Sequence, residues 1–170
     1  MIFGEYGGVY EGIIDFIKEW NPQKFSNERD YQKNLYEYLS DLQDKGEIRE
    51  ERRILRERGV NRADIVIDDR IAIEIKKDLK HQPSVDRCVA QIKRMKNEYN
   101  FVIVVIVGEN NSRQHITLLK HELREFLQDD GIFENEKSIR VLQIKNKEKK
   151  KTEKKQEKSI FDINLDDFGF

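Results

Sequence analysis

The run Phe101 to Val107, Phe-Val-Ile-Val-Val-Ile-Val, constrains the fold of this chain more than any other segment. Seven consecutive apolar residues, most of them β-branched, are typical of a strand that is covered on both faces. The run ends at Gly108 and is far too short to span a bilayer. We therefore expect it to be the central strand of a sheet, in a protein without membrane contact.

The segments around this strand alternate between helical and strand patterns, in an order typical of an α/β domain with a mixed β-sheet flanked by helices. Ser26 or Asn27 can cap the second helix. The first three strand-like segments are short and are separated by turn residues, which favours antiparallel pairing. Residues 1–26 are predicted to form an accessory N-terminal helix, and residues 27–145 the main domain. The predicted helices cover about 9–20, 27–44, 83–98 and 112–128, and the predicted strands 47–55, 62–67, 70–76, 101–107 and 139–144.

The C-terminal part of the chain differs in composition. Residues 146–158 contain no apolar side chain, so we expect a charged, flexible linker. Apolar residues return in the peptide motif 159–170, where Leu165, Phe168 and Phe170 have the spacing of a peptide ligand. The motif is similar to sliding-clamp-binding peptides and to the acidic tails of single-stranded-DNA-binding proteins. The alternative is that it packs back on its own domain as an autoinhibitory or dimer-swapping arm.

The charge balance bears on partners and on compartment. Charged residues make up 38% of the chain, yet the formal net charge is -1, so any polyanion must be bound through a local basic patch. The single Cys88 cannot form an intramolecular disulfide and is most simply a small core residue. The opening residues show no signal-peptide pattern. Together these features favour the reducing cytoplasm.

The candidate chemistry lies on the predicted hairpin of residues 63–77. Alternation places Glu74 and Lys76 on the same face of their strand. With a three-residue loop at 68–70, or with a bulge, Asp64 lies opposite Glu74 on that face. Two neighbouring carboxylates repel unless a cation lies between them, and oxygen ligands suit Mg²⁺ or Mn²⁺. The three side chains supply what hydrolysis of a phosphodiester requires.

Asp64, nine intervening residues and the triplet Glu74-Ile75-Lys76 resemble the motif of the PD-(D/E)XK nuclease superfamily. Its pattern is an acidic residue, a variable spacer and an acid-any-Lys triplet; the family's proline before the first acid is Ala63 here. The resemblance implies a restriction-endonuclease-like α-β-β-β-α-β core. It also implies a metal site formed by Asp64, Glu74 and Ile75, in which Lys76 positions the nucleophile or the phosphate.

Two helical residues extend the resemblance. Many members carry a glutamate in the first core helix that points at the same metal ions, and Glu28 fits this position because it shares the inward stripe of Tyr31. Glu37 is the second candidate, but it lies roughly opposite Glu28 on the helix. The crossover helix often begins its inward face with a glutamine, as Gln91 would. A basic cluster can contact DNA phosphates, although an ordinary solvated surface explains it equally well. The cluster comprises Arg52, Arg53, Arg56, Arg58 and Arg62 before the hairpin and Lys76, Lys77 and Lys80 after it, and we predict phosphate contacts for Arg62, Lys77 and Lys80.

The resemblance implies a Mg²⁺-dependent DNA nuclease in DNA repair, recombination or a mobile-element or defence context. Cutting both strands of a duplex needs two sites, which favours a homodimer. Two alternatives stay open, namely a non-catalytic adaptor that recruits a replication partner through the C-terminal peptide, and a subunit that cuts only within a complex. The plainest alternative is a solvated strand face, because acid-any-Lys triplets are common in so charged a chain. Asp64→Ala or Lys76→Ala would abolish cleavage in a nuclease and leave partner binding by an adaptor unchanged.

Overall fold

The computed structural model describes residues 3–58, 62–125 and 138–147. Their elements follow the predicted order and form an α/β arrangement with a mixed sheet flanked by helices. The helices within these ranges are α1 (Phe3–Glu19), α2 (Glu28–Asp44), α3 (Gln82–Glu98) and α4 (Arg113–Glu122). The strands are β1 (Ile54–Arg58), β2 (Ala63–Ile67), β3 (Ile71–Lys77), β4 (Phe101–Val107) and β5 (Ser138–Gln143).

The strands within the described ranges form one open sheet in the order β1-β2-β3-β4-β5. The pairs β1·β2 and β2·β3 are antiparallel, whereas β3·β4 and β4·β5 are parallel. The apolar run that we expected at the centre is β4, which is an interior strand, but the middle position belongs to β3. An unbroken apolar run requires cover on both faces, and every interior strand of such a sheet meets that requirement.

Two hydrophobic clusters cover the opposite faces of the sheet. Helices α1 and α2 pack on one face, against strand residues that include Ile65, Ile73 and Val105. Helices α3 and α4 pack on the other face, against strand residues that include Val66 and Val104. Helix α1 therefore contributes its apolar side to the core of the sheet domain. Within the described ranges, no helix combines the length and the apolar composition needed to cross a membrane.

Local hydrogen bonds explain where the second helix and the first strand begin. The side chain of Asn27 accepts a hydrogen bond of 2.9 Å from the backbone N of Asp30, which confirms Asn27 as the N-cap of α2. Strand β1 begins at Ile54, later than the sequence pattern indicates. The side-chain amide of Gln43, near the end of α2, donates to the backbone carbonyls of Arg49, Glu50 and Arg52. These hydrogen bonds hold the segment just before β1 in turns.

The turn after β4 requires a glycine. Gly108 has a φ of +97°, and a Cβ at this position would lie 2.3 Å from Oδ1 of Asp78. The Asp78 carboxylate cannot easily move away, because it accepts a hydrogen bond from the backbone N of Asn110. We expect Gly108→Ala to lower the free energy of unfolding by about 2 to 4 kcal/mol, from left-handed strain plus this clash.

Gly46→Ala is the matched control for Gly108→Ala. Gly46 also has a positive φ, +77°, but nothing lies within 4 Å of a Cβ built there. The expected loss is about 1 to 2 kcal/mol, from the left-handed backbone alone. Urea denaturation of both variants measures the difference, and equal losses would contradict the close approach of Asp78.

Candidate active site

The hairpin of β2 and β3 brings Asp64 and Glu74 together. The pairing of the two strands leaves residues 68–70 as the loop, which is one of the two arrangements that the sequence allows. Continuing the pairing by one residue places Asp64 opposite Glu74. Asp64 is 9% exposed and Glu74 is 1% exposed, and they are the only buried charged residues in the described ranges. The pairs of the ladder are Ile65–Ile73, Val66–Ala72 and Ile67–Ile71.

The carboxylate of Asp64 is held from two elements. Its Oδ2 accepts a hydrogen bond of 2.7 Å from the backbone N of Ile75 in β3, and its Oδ1 accepts one of 2.7 Å from the side-chain amide of Gln32 in α2. Gln32 was missed in the sequence. It lies one helical turn after Glu28 on the same side of α2, and this i, i+4 spacing is the signal that could have found it.

The carboxylate of Glu74 lies between a lysine and a glutamine. The Nζ atom of Lys76 is 2.5 Å from Oε1 of Glu74, and the side chain of Gln91 in α3 also forms a hydrogen bond to Glu74. The second oxygen, Oε2, is buried and has no hydrogen-bond partner in the described structure. Leaving a buried oxygen unpaired costs about 1 to 3 kcal/mol, so Oε2 is an oxygen that a cation can stabilise.

Glu28 reaches the site from the first turn of α2. Its Oε2 accepts a hydrogen bond of 2.9 Å from the backbone N of Lys77 at the end of β3, and its Oε1 is 3.6 Å from Nζ of Lys76. The other candidate, Glu37, is exposed and forms an ion pair of 3.7 Å with Lys33. Helix α2 therefore contributes Glu28 to the site, and Glu37 lies on the outer surface.

The electrostatics of the site follow from its burial. Burial, with the neighbouring charge of Glu74, raises the pKa of Asp64 to about 8. Burial also raises the pKa of Glu74, although Lys76 opposes this shift. The pKa of Lys76 is raised in spite of its burial, because the carboxylates of Glu74 and Glu28 favour the ammonium form. The site thus holds more carboxylates than one ammonium can neutralise, which favours the binding of a further cation.

The described ranges contain no group of three or more His, Cys, Asp or Glu side chains arranged to hold a metal ion. The Nζ atom of Lys76 lies near both Glu74 and Glu28. A cation bound by both glutamates requires Nζ to turn away from at least one of them. Asp64 and Glu74 are carried by one hairpin, so the backbone already brings these two residues side by side.

The other predicted residues lie around this pair. The side chain of Ile75 is buried in the cluster with α1 and α2, so only its backbone is available to the acidic site. Lys77 and Lys80 both approach Oδ2 of Asp78, at 2.5 Å and 3.9 Å, and Arg62 is exposed. Three predicted residues and the linker beyond residue 147 lie outside the described ranges. These three are Leu165, Phe168 and Phe170.

Cys88 is buried on α3, as expected for a core residue. Burial raises the pKa of its thiol to about 12, so the side chain stays neutral at physiological pH. A neutral, buried thiol is neither a nucleophile nor a ready metal ligand. The acidic site therefore depends on oxygen donors.

Asp64→Asn is expected to stabilise the protein at alkaline pH. The pKa of Asp64 is about 8 in the folded protein, against 3.8 for the ordinary group, so the folded state holds the proton more tightly. The contribution of protonated Asp64 to the wild-type unfolding free energy is fully present below about pH 4 and is lost as the pH rises to about 8. Because Asn stays neutral, the gain in unfolding free energy should grow from near zero at pH 4 to several kcal/mol at pH 8.5, since each unit of pKa difference corresponds to about 1.4 kcal/mol.

Urea denaturation at the two pH values, in the presence of EDTA, measures this gain. The amide can keep both contacts of Asp64, since its oxygen can accept from Ile75 while its nitrogen donates to a rotated Gln32 amide. A gain that is the same at both pH values would show that the ionisation of Asp64 is not its cause.

Comparisons of the chain with protein-family models, with curated proteins and with solved structures give no match. The residues of this site and the fold that positions them are therefore the basis for assigning a function.

Proposed function

We propose that this chain is a divalent-metal-dependent DNA nuclease with the restriction-endonuclease-like core of the PD-(D/E)XK superfamily. The observation that carries the proposal is the burial of Asp64 and Glu74 side by side on one hairpin, with Lys76 in contact with Glu74. The order of elements from α2 to β4 supports it, because α-β-β-β-α-β is the order that the motif resemblance implies.

The residues present fit a Mg²⁺ or Mn²⁺ ion. Asp64 and Glu74 are the proposed ligands, with the backbone of Ile75 and the carboxylate of Glu28 as further oxygen donors. The unpaired, buried Oε2 of Glu74 supports this fit, and so do the raised pKa values of the two acids, since a cation would favour their ionised forms. When bound there, such an ion would supply positive charge to the transition state of phosphodiester hydrolysis and would lower the pKa of a bound water.

The protein's own groups orient the reactants. The Lys76 ammonium can hold the attacking water or a phosphate oxygen, and Glu28 and Glu74 keep it charged. Gln32 and the backbone N of Ile75 fix the carboxylate of Asp64. Gln91 acts in the same way on Glu74 from the opposite helix layer. Groups that are fixed before substrate binds lower the entropic cost of reaching the reactive geometry.

Cleavage of labelled DNA tests this proposal. Single-stranded, duplex, flap and junction DNAs are incubated with Mg²⁺ or Mn²⁺ and with wild type, Asp64→Ala or Glu37→Gln. Glu37→Gln is the matched control, because this glutamate lies on α2 but outside the site. We expect the wild type and the control to cleave at least one substrate and Asp64→Ala to cleave none; an RNA of the same sequence tests the choice of DNA.

Two results would contradict the proposal. Cleavage that persists in Asp64→Ala would assign the activity elsewhere. Absence of cleavage by the wild type on every substrate would favour an adaptor or a subunit that is active only in a complex. In that case the binding partner of the C-terminal peptide, proposed as a sliding clamp or a single-stranded-DNA-binding protein, becomes the next question.

A further inference from the structure

Arg56 lies on β1, the strand that pairs with β2, which carries Asp64. It is paired with Ile65 in the β1·β2 ladder, and Ile65 follows Asp64 directly in β2. Its guanidinium carbon lies 5.6 Å from the centre of the Tyr36 ring on α2. Tyr36 is one helical turn after Gln32, the residue that donates to Asp64. Arg56 therefore neighbours two elements that contribute to the site, namely β2 through Ile65 and α2 through Tyr36.

The charge of Arg56 is not neutralised by a described carboxylate, in contrast to its neighbours in sequence. Arg52 forms an ion pair of 2.8 Å with Asp68, and Arg53 forms one with Asp69. Arg56 is half-buried, and its Nε has no hydrogen-bond partner in the described structure. A buried, unpaired N–H group on a charged side chain is costly, so the position is unfavourable unless an anion approaches it.

The three basic residues for which the sequence predicts phosphate contacts are placed differently from Arg56. Lys77 and Lys80 both approach the carboxylate of Asp78, which reduces the positive charge that they can offer to DNA. Arg62 is exposed, and its backbone has a φ of +47°. Arg56 is thus the basic side chain beside the acidic hairpin that combines partial burial with the lack of a carboxylate partner in the described structure.

Contact with an aromatic ring suits Arg56 to bind a phosphate. A guanidinium that lies over an aromatic ring interacts with it without using its N–H groups, which stay available for a bidentate contact with an anion. The ring also restricts the side chain before the ligand arrives, so less entropy is lost on binding. Phosphate oxygens match the geometry of the guanidinium donors.

We infer that Arg56 binds a DNA backbone phosphate that flanks the scissile one, an inference that rests on the proposed function. The scissile phosphate has to lie at Asp64, Glu74 and Lys76, where the hydrolytic groups are. Arg56 contacts α2 one turn, about 5.4 Å, beyond Gln32, so it reaches a neighbouring phosphate of the same strand. Its role is to hold the strand in register with the acidic pair.

DNA binding without cleavage tests this inference. Fluorescence anisotropy of a labelled duplex and a labelled single strand is measured in EDTA, over salt concentrations from about 50 to 200 mM. We expect Arg56→Gln to weaken binding about 5- to 10-fold and to reduce the slope of log K against log[salt] by about 1. Arg53→Gln is the matched control, since Arg53 is exposed and already paired with Asp69, and it should change affinity less than about 2-fold.

Arg56→Lys separates charge from geometry and serves if Arg56→Gln fails to fold by circular dichroism. Lysine keeps the point charge and loses the two-pronged contact, so we expect an unchanged salt slope and about 2- to 5-fold weaker binding. The inference is overturned if Arg56→Gln behaves like Arg53→Gln, if Arg56→Lys binds like the wild type, or if the wild type binds neither DNA.

The outcomes keep this inference separate from the nuclease proposal. Binding that depends on Arg56 in a protein that cleaves nothing would contradict the nuclease and support the phosphate contact. Cleavage that depends on Asp64, together with binding that is indifferent to Arg56, would support the nuclease and overturn the contact.

Discussion

Glu74→Gln is expected to reduce metal-dependent cleavage more than about 100-fold and to leave the protein folded. Losses of about 10- to 100-fold follow from the removal of groups that only support metal ligands, so removal of a direct ligand should exceed them. Gln has the shape of Glu and can accept from Lys76, but it lacks the negative charge that binds a cation. Because Glu74 is 1% exposed, the neutral amide is also the easier group to bury.

Single-turnover cleavage of the best substrate, measured over a range of Mg²⁺ concentrations, gives the size of this loss. Glu37→Gln makes the same chemical change on the outer side of α2 and should cleave at the wild-type rate. A rate for Glu74→Gln within a few-fold of the wild type at saturating Mg²⁺ would exclude Glu74 as a ligand.

Lys76→Met should reduce the maximal cleavage rate about 100-fold or more without weakening metal binding. A positioned side chain that assists the proton transfers of the reaction contributes about 10²- to 10⁴-fold. The Lys76 ammonium also contacts Glu74 and lies near Glu28, so it competes with a cation for the same oxygens. Without it, the Mg²⁺ concentration for half-maximal rate should stay constant or fall.

Lys77→Met is the matched control for Lys76→Met. Lys77 is the next residue of β3, and its Nζ contacts Asp78 instead of the acidic pair. We expect it to retain most of the maximal rate. Thermal melting adds a second test, because the carboxylates left by Lys76→Met should destabilise the protein in EDTA more than in Mg²⁺. An unchanged maximal rate with weaker Mg²⁺ binding would limit Lys76 to a structural role.

The parts of the site that depend on strand geometry were predictable from the sequence. The alternation of side chains places Glu74 and Lys76 on one side of β3, and the spacing of apolar residues identifies the strands and helices around β3. The register between β2 and β3 was predictable only as a choice between a three-residue loop and a bulge, because it depends on the conformation of residues 68–70. The structure forms a three-residue loop in which Asp68 and Asp69 take φ values of 54° and 55°, a conformation that aspartate tolerates better than most residues.

The parts that depend on packing between elements could not be read from the sequence. Gln32 meets Asp64 only because of the way α2 crosses the sheet. The difference between Arg53 and Arg56 depends on which carboxylates lie nearby after folding. The prediction that β1 begins at residue 47 was wrong, because turns stabilised by Gln43 replace strand pairing before Ile54. These outcomes depend on contacts between segments, which no single pattern encodes.

Titration with Mn²⁺ tests most directly whether Asp64 and Glu74 together bind a divalent cation. The signal of the free ion in electron paramagnetic resonance measures how much Mn²⁺ is bound. We expect the wild type to bind Mn²⁺ at a site whose affinity falls about 100-fold or more in Glu74→Gln and in Asp64→Asn, while Glu37→Gln binds like the wild type. Equal Mn²⁺ binding by all four proteins, or no binding by the wild type, would contradict this expectation.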